Sequence, residues 1–254
     1  VRAVWILYKK DLYSFFTQPL FYLVAGLCAL FWSPLYIWSF GSFLSQVISV
    51  MGQQGEFISY HDRVVGEFVA LVNFTMLLFA NGITMKLLAE EKKNHTYELL
   101  MTSPIQSWQI ILAKYLTGVT VSVALIFISF LYPLTTSLLG KIQWAPLLCS
   151  YLGLVLFSMV YVAVGLIGSA LVSSVIMAFL ISLILNLSLL FLGAGGELSS
   201  SEAMVRFFNY INWDPIFHEF ASGVVRLTSV FYLVSLAFIA VICAERLTES
   251  SRWK

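Results

Sequence analysis

Six stretches of the chain run apolar for at least 18 residues with no Asp, Glu, Lys or Arg in their middle: 20–44, 68–88, 116–139, 144–172, 175–192 and 227–244. A helix needs about 20 apolar residues to cross a hydrocarbon layer, and core helices of soluble domains rarely stay uncharged for so long. As a helix the first stretch reaches roughly 37 Å, enough to cross with some tilt. The pattern predicts an all-α integral membrane protein, with six transmembrane helices forming a single transmembrane domain over residues 1–254. Composition agrees. Of the 254 residues, 60% are hydrophobic and 11% charged, against roughly 25% charged in a soluble domain, and the mean hydropathy is +0.90. So apolar a chain is not disordered. A net charge of +1 with no basic stripe argues against nucleic acid as a partner and leaves the lipid bilayer as the main one. Cys28, Cys149 and Cys243 sit in apolar runs and form no CxxC pair.

The segments between the spans set orientation. With the N-terminus inside, Arg2, Lys9, Lys10, Lys86, Lys92, Lys93, Lys114, Arg246, Arg252 and Lys254 are cytoplasmic, and Arg63, Lys141, Arg206 and Arg226 are outside. That excess follows the positive-inside rule and places both termini in the cytoplasm. The first apolar stretch is too long for the h-region of a signal peptide and lacks an A-x-A site, so it is expected to remain as a span. Ahead of it, Val4, Trp5, Leu7, Tyr8, Leu12, Phe15 and Phe16 recur at three- and four-residue steps, with Lys9, Lys10, Asp11, Ser14 and Gln18 filling the other side. This predicts an amphipathic helix over 1–19 lying in the headgroup plane. Residues 45–67 read as an external loop in which His61 and Asp62 are solvated. Ser173 and Ser174 read as a tight turn joining the fourth and fifth spans.

The most informative segment joins the second and third spans. Asn94-His95 reads as a helix stop, since Asn tolerates the left-handed cap. Thr96 is placed to N-cap a short helix with Glu98 in its first turn, and Leu99, Leu100 and Met101 give that helix an apolar side. Ser103, Pro104 and Gln106 have the spacing of a capping box opening the next helix. The prediction is a coupling region over 89–106, a short capped helix hung crosswise between two spans. On the external side, 193–226 carries two amphipathic elements. One has Met204, Phe207, Phe208 and Ile211 on its apolar face; the other opens at Asp214-Pro215, with Asp214 as N-cap and Phe217, Phe220 and Val224 on one side. Re-entry into the outer membrane boundary is expected there. His218-Glu219 begins like a zinc-protease motif, but Ser222 stands where the second His is required, so no metal site is expected.

The run Glu90-Glu91-Lys92-Lys93, Thr96-Tyr97-Glu98-Leu99-Leu100, Thr102-Ser103-Pro104, with Trp108 to Ile111 and Lys114 beyond it, resembles the permease subunits of type-2 ATP-binding-cassette exporters, and among them the gliding-motility-type subgroup. Lys9-Lys10-Asp11-Leu12 before Pro19 is similar to the opening of that subgroup, and Phe217, Phe220 and Gly223 to its external segment. His95 and Ala113 depart from it, standing where glycine is usual. The resemblance implies a permease of the bacterial cytoplasmic (inner) membrane that pairs with a second copy or a homologous permease and docks a separate ABC ATPase subunit, with a role open for an auxiliary membrane or periplasmic protein. Glu90, Glu91, Thr96, Glu98, Leu99, Leu100, Met101, Ser103 and Pro104 become the ATPase-coupling residues. Phe217, Phe220 and Gly223 become an external gate. ATP and Mg would sit on the partner and no cofactor on this chain. The only Gly-Lys pair, Gly140-Lys141, has neither the preceding glycine nor the following Ser or Thr of a P-loop, and no catalytic residues are expected.

Asn73, Asn81 and Asn186 lie inside spans, where an amide is costly unless bonded. Interhelical bonding and lining of a substrate path both fit them. Gly165, Gly168, Ser169 and Ala170, and Gly118 with Ser122, suit close helix packing within the subunit. No acid, base or histidine sits in a span centre, which argues against an ion-coupled secondary transporter, and no nucleophile–base pair supports an intramembrane enzyme. Besides export, the sequence fits an ATPase-driven scaffold that transmits force to an external partner without moving a solute. It does not identify the cargo.

Overall fold

Apolar length sets where helices cross, and backbone bonding carries each helix on until something stops it. The computed structural model describes residues 2–50, 60–97, 105–137, 143–192, 205–206, 208 and 212–250. Among them the regular elements are all helical. They are α1 (Arg2–Thr17), α2 (Pro19–Val50), a π-helical turn (His61–Val65) running into α3 (Gly66–Leu87), α4 (Ala89–Lys93), α5 (Ser107–Ser137), α6 (Trp144–Leu171), α7 (Val175–Phe191), α8 (Asp214–Ala221) and α9 (Leu227–Ser250). Five segments are long and apolar enough to cross a membrane: Phe21–Ile48, Arg63–Lys93, Ser107–Ser137, Trp144–Leu171 and Leu227–Ser250. The sixth expected span is α7, whose 17 residues rise about 25 Å, short of a hydrocarbon layer of about 30 Å.

Several boundaries differ from expectation. Residues 45–50 continue α2, and 60–67 are helical where a loop was expected. Arg63 Nη1 lies 3.3 Å from Glu67 Oε1 one turn on, a pairing that supports the helical start. His61 is not solvated: it is buried, and its Nε2 lies 2.9 Å from the Ala221 carbonyl. Ile105 and Gln106 are not helical, so α5 does not open on the expected Ser103–Gln106 box. Gln109 Oε1 accepts the Gln106 N–H at 3.4 Å, moving the cap to Gln106. Asp214 is the first residue of α8 rather than its cap, and its N–H is taken by Asn212 Oδ1 at 3.1 Å. Of the first external element, only 205, 206 and 208 are described, all helical.

The bundle is organised around α6, which packs against α3, α5, α7, α8 and α9. Glycines let the helices approach. A Cβ on Gly165 would stand 2.9 Å from Thr84 Cγ2, one on Gly153 2.6 Å from Phe220 Cβ, and one on Gly168 2.7 Å from the Ser182 backbone nitrogen. The small residues of 165–170 therefore serve packing within the subunit, as their spacing suggested. By contrast α2 and α9 turn large apolar side chains outward, among them Leu30, Ile37, Trp38, Phe231 and Phe238.

Replacing Gly168 with Val is expected to force α6 and α7 apart and cost about 1–3 kcal/mol. A Cβ at Gly82 meets nothing within 4 Å, so Gly82→Ala, which removes a glycine from the interior of α3, is expected to melt slightly above the parent, by about 0.5–1 kcal/mol. Thermal unfolding of the two variants in detergent checks both.

Candidate functional site

The break between α3 and α4 begins the site. Leu88 leaves helical geometry at φ −122°, ψ −48°, and the chain restarts as α4. The Ala89 N–H freed by this break donates to Ser169 Oγ of α6 at 3.0 Å. Lys92 Nζ donates to the Ala170 carbonyl at the last turn of α6, where a cation suits the helix dipole, and also lies 5.3 Å from the Tyr97 ring. The start of α4 is thus fixed to the end of α6.

The opposite side of α4 is fixed by charge. Lys114 on α5 is 3% exposed, and its Nζ stands 2.7 Å from Glu91 Oε2 and 3.4 Å from Asp11 Oδ2 on α1. The Glu91 contact has the geometry of an ion pair rather than an aligned hydrogen bond. Lys10 adds a second, exposed cation 3.6 Å from Glu91 Oε1. Two carboxylates and a buried ammonium therefore tie α1, α4 and α5 together. Around them, Val4 and Leu7 of α1 pack on Ile110 and Ala113 of α5, and Tyr8 shares a hydrogen bond with Thr120 at 3.0 Å. Lys86 donates to Gln18 at 3.1 Å beside a cavity of about 240 Å³ whose walls include Glu90, Glu91, Asn94 and Thr96.

Helix α1 is amphipathic as expected, but Asp11 belongs to its inner face, not its polar one. Trp5, Ile6 and Tyr13 point outward, with Lys9 over the Trp5 ring at 5.2 Å. The outer stripe of aromatic and basic side chains is the one suited to headgroups.

Past α4 the chain turns sharply. The left-handed residue is His95, at φ +57°, not Asn94. A side chain there costs about 1 kcal/mol or more relative to glycine. Thr96 Oγ1 donates back to the Glu91 carbonyl at 3.2 Å, closing α4. Lys93, Asn94, His95 and Thr96 are exposed. The Ser173–Ser174 turn lies beside them and bounds a groove with Lys93 and His95. Glu98, Leu99, Leu100, Met101, Ser103 and Pro104 lie outside the described residues.

The three span asparagines form one string. Asn186 Nδ2 donates to Asn81 Oδ1 at 2.7 Å and to the Tyr161 carbonyl at 3.2 Å, and the Tyr161 hydroxyl donates to Asn73 Oδ1 at 3.2 Å. Asn81 and Asn186 are fully buried and bond α3 to α7, each such bond adding about 0.6 kcal/mol in a membrane. Asn73 borders a cavity at the opposite end of the bundle from α4. There α8 folds onto α6. Phe217 and Phe220 are buried against it, Ser150 Oγ donates to the Phe220 carbonyl at 3.0 Å, and Gly223, at φ +82°, presses on Pro146 with no room for a Cβ.

Among the described residues no group of three or more His, Cys, Asp or Glu is placed to hold a metal. The family described as ABC-2 family transporter protein matches residues 45–244, well over half of the chain. The chain belongs to the ABC-2 transporter family. It is therefore a multi-pass membrane permease subunit of an ABC transporter, from a family whose membrane domain is not the catalytic one and whose partner is an ABC ATPase. A search of curated proteins returns no match. Sequence reasoning picked out Glu91 but missed its partners Lys114 and Asp11. The available signal was an acid at a stripe position of α1, seven residues from Val4.

Replacing Lys114 with Ala leaves Asp11 and Glu91 with only the exposed Lys10, 3.8 and 3.6 Å away, as counter-charge. A loss of up to about 3 kcal/mol is expected, below the full cost of an uncompensated buried charge, with α1 detaching first. Hydrogen exchange should rise over residues 2–17 before it rises over α6. The neutral triple variant Asp11→Asn, Glu91→Gln, Lys114→Met should recover most of that protection.

Proposed function

We propose that the ABC ATPase docks on the region 89–106 and that its closure on ATP moves α1, α5 and α6 together, coupling hydrolysis to export across the membrane. The observation that carries this reading is the double tether of α4: Ala89 and Lys92 bond to the end of α6, and Glu91 pairs with Lys114, itself paired with Asp11. Three helices, α1, α5 and α6, meet at a segment of five residues, and the stretch Lys93 to Thr96 at its end is exposed. Force applied there has no slack to take up. Glu90, Thr96, Glu98, Leu99, Leu100, Met101, Ser103 and Pro104 supply the docking contacts on this reading, and Glu91 transmits instead of touching the motor. ATP and Mg stay on the ATPase.

The finer parts of the reading follow from the same assignment. The α4 end faces the cytoplasm with both termini, and the membrane is the inner membrane of a bacterium. Helix α7 completes a six-span topology as a short crossing, its length made up by local thinning of the bilayer. The permease works as a pair, with itself or with a homologue of the gliding-motility-type subgroup. Phe217, Phe220 and Gly223 hold α8 as a gate on the external side.

The double variant Glu98→Lys, Leu99→Asp is expected to release the ATPase from membranes while the permease still inserts and extracts as a stable particle. Co-purification of the ATPase with this variant at the wild-type level would remove the docking role.

A further inference from the structure

The cavity beside Lys86 carries more charge than the tether of α1, α4 and α5 uses. It measures about 240 Å³ and lies between α1 and the junction of α3 with α4. Three ammoniums and three carboxylates line it. Four of the six neutralise one another: Lys10 and Lys114 each lie within 3.8 Å of both Asp11 and Glu91. Lys86 and Glu90 are left over. Both line the cavity and both are half-buried, so each presents part of its surface to whatever enters. Among the described residues neither has an opposite charge within 4 Å, and the side chain of Lys86 bonds only to the neutral Gln18.

Depth in the bilayer follows from Gln18. The apolar crossing of α2 begins at Phe21, three residues on, so the bond between Lys86 and Gln18 lies at headgroup level. Glu90 follows one turn later, past the break at Leu88, and Asn94 and Thr96 beyond it are exposed. The two ends of the cavity therefore differ in chemistry. At the membrane end stand donors: the Lys86 ammonium, and the Ser14 hydroxyl, whose oxygen takes the Gln18 amide at 3.3 Å and keeps its own hydrogen to give. At the α4 end stand acceptors: the Glu90 carboxylate, the Asn94 amide oxygen, and Thr96 Oγ1, whose hydrogen already goes to the Glu91 carbonyl. A purely anionic head would meet Glu90, and a purely cationic one Lys86. A zwitterion with its anion toward the hydrocarbon and its cation away from it answers both. That is the order of charges in a phospholipid head. A primary ammonium donates N–H bonds to such acceptors, as lysine does; a trimethylammonium has none to give.

We infer that this cavity seats the head of one phosphatidylethanolamine from the leaflet at the α4 end, its phosphate on Lys86 and its ammonium on Glu90. The volume suits a single head, with the half-buried Phe15 as the apolar part of the wall beside the glycerol. The bound head bridges the break at Leu88 and gives α4 a hold on α3 that does not pass through Lys114. With the head in place Glu90 and Thr96 face lipid, and the direct contacts of the proposed ATPase docking narrow to residues 98–104. The seat is complete within one permease chain, so it stands or falls separately from that docking.

The test titrates the full chain, without any ATPase, with the dioleoyl forms of phosphatidylethanolamine, phosphatidylcholine and phosphatidylglycerol in detergent and reads retained lipid by native mass spectrometry. One phosphatidylethanolamine should be held about tenfold more tightly than either of the others, the effect of one charge-assisted hydrogen bond. Lys86→Met should weaken all three lipids, since each brings a phosphate. Glu90→Gln should weaken phosphatidylethanolamine alone and bring it level with phosphatidylcholine. Neither position holds an ion pair, so both variants keep the fold. Lys9→Met, on the outer stripe of α1 over Trp5 and outside the cavity, should change nothing. Glycerophosphoethanolamine, the same head without acyl chains, should compete only at about hundredfold higher concentration. Equal retention of the three lipids, selectivity that survives Glu90→Gln, a loss on Lys9→Met equal to that on Lys86→Met, or competition by the chainless head at the lipid's own concentration would overturn the assignment.

Discussion

One buried ammonium holds α1, α4 and α5 together. Lys114 sits in the first third of a long apolar helix with 3% of its side chain exposed, a costly place for a charge unless it is compensated. Compensation comes from two other helices, through Glu91 and Asp11. Remove the ammonium and the two carboxylates keep only the exposed Lys10 as a partner. The interaction is weak as a source of stability, since an apolar trio could fill the same space. Its value is in specification: it permits one arrangement of α1, α4 and α5, and on the proposed reading that arrangement presents α4 to the ATPase.

The second tether works by a different force. The kink at Leu88 breaks the α3 ladder and exposes the Ala89 N–H, which Ser169 satisfies, while Lys92 covers the carbonyl end of α6. Glycines along α6 allow the close approach that these bonds need, at Gly165 against Thr84 and at Gly168 against Ser182. The hydrogen-bonded asparagine string then continues the contact between α3, α6 and α7 toward the far end, where Tyr161 and Asn73 meet the cavity under Trp213. The two ends of the bundle are thereby connected through polar contacts inside an apolar core.

The membrane class and the approximate span positions were legible because uncharged apolar length is a direct measure of hydrocarbon thickness. Helix ends were not, because that measure says nothing about how far a helix continues into water. Hence α2 overran to Val50 and the 60–67 segment proved helical. The stop at Asn94-His95 was legible from turn chemistry, though the left-handed residue turned out to be the histidine. Lys114 was read only as a cytoplasmic charge, without its partners, because they are 23 and 103 residues away in sequence and only the fold brings them together. His61 was misjudged for the same reason: its partner Ala221 lies on α8.

The central claim is that α1 and α4 move as one body because Lys114 joins them. Spin labels at Tyr13 and Lys93, both exposed, report the distance between them in the assembled transporter without nucleotide and with ATP bound. The account predicts one narrow distance distribution in both states, and a broad one in each once Lys114 is replaced by Ala. A distance that shifts on ATP binding in the unaltered permease, or one that stays narrow without Lys114, would contradict it.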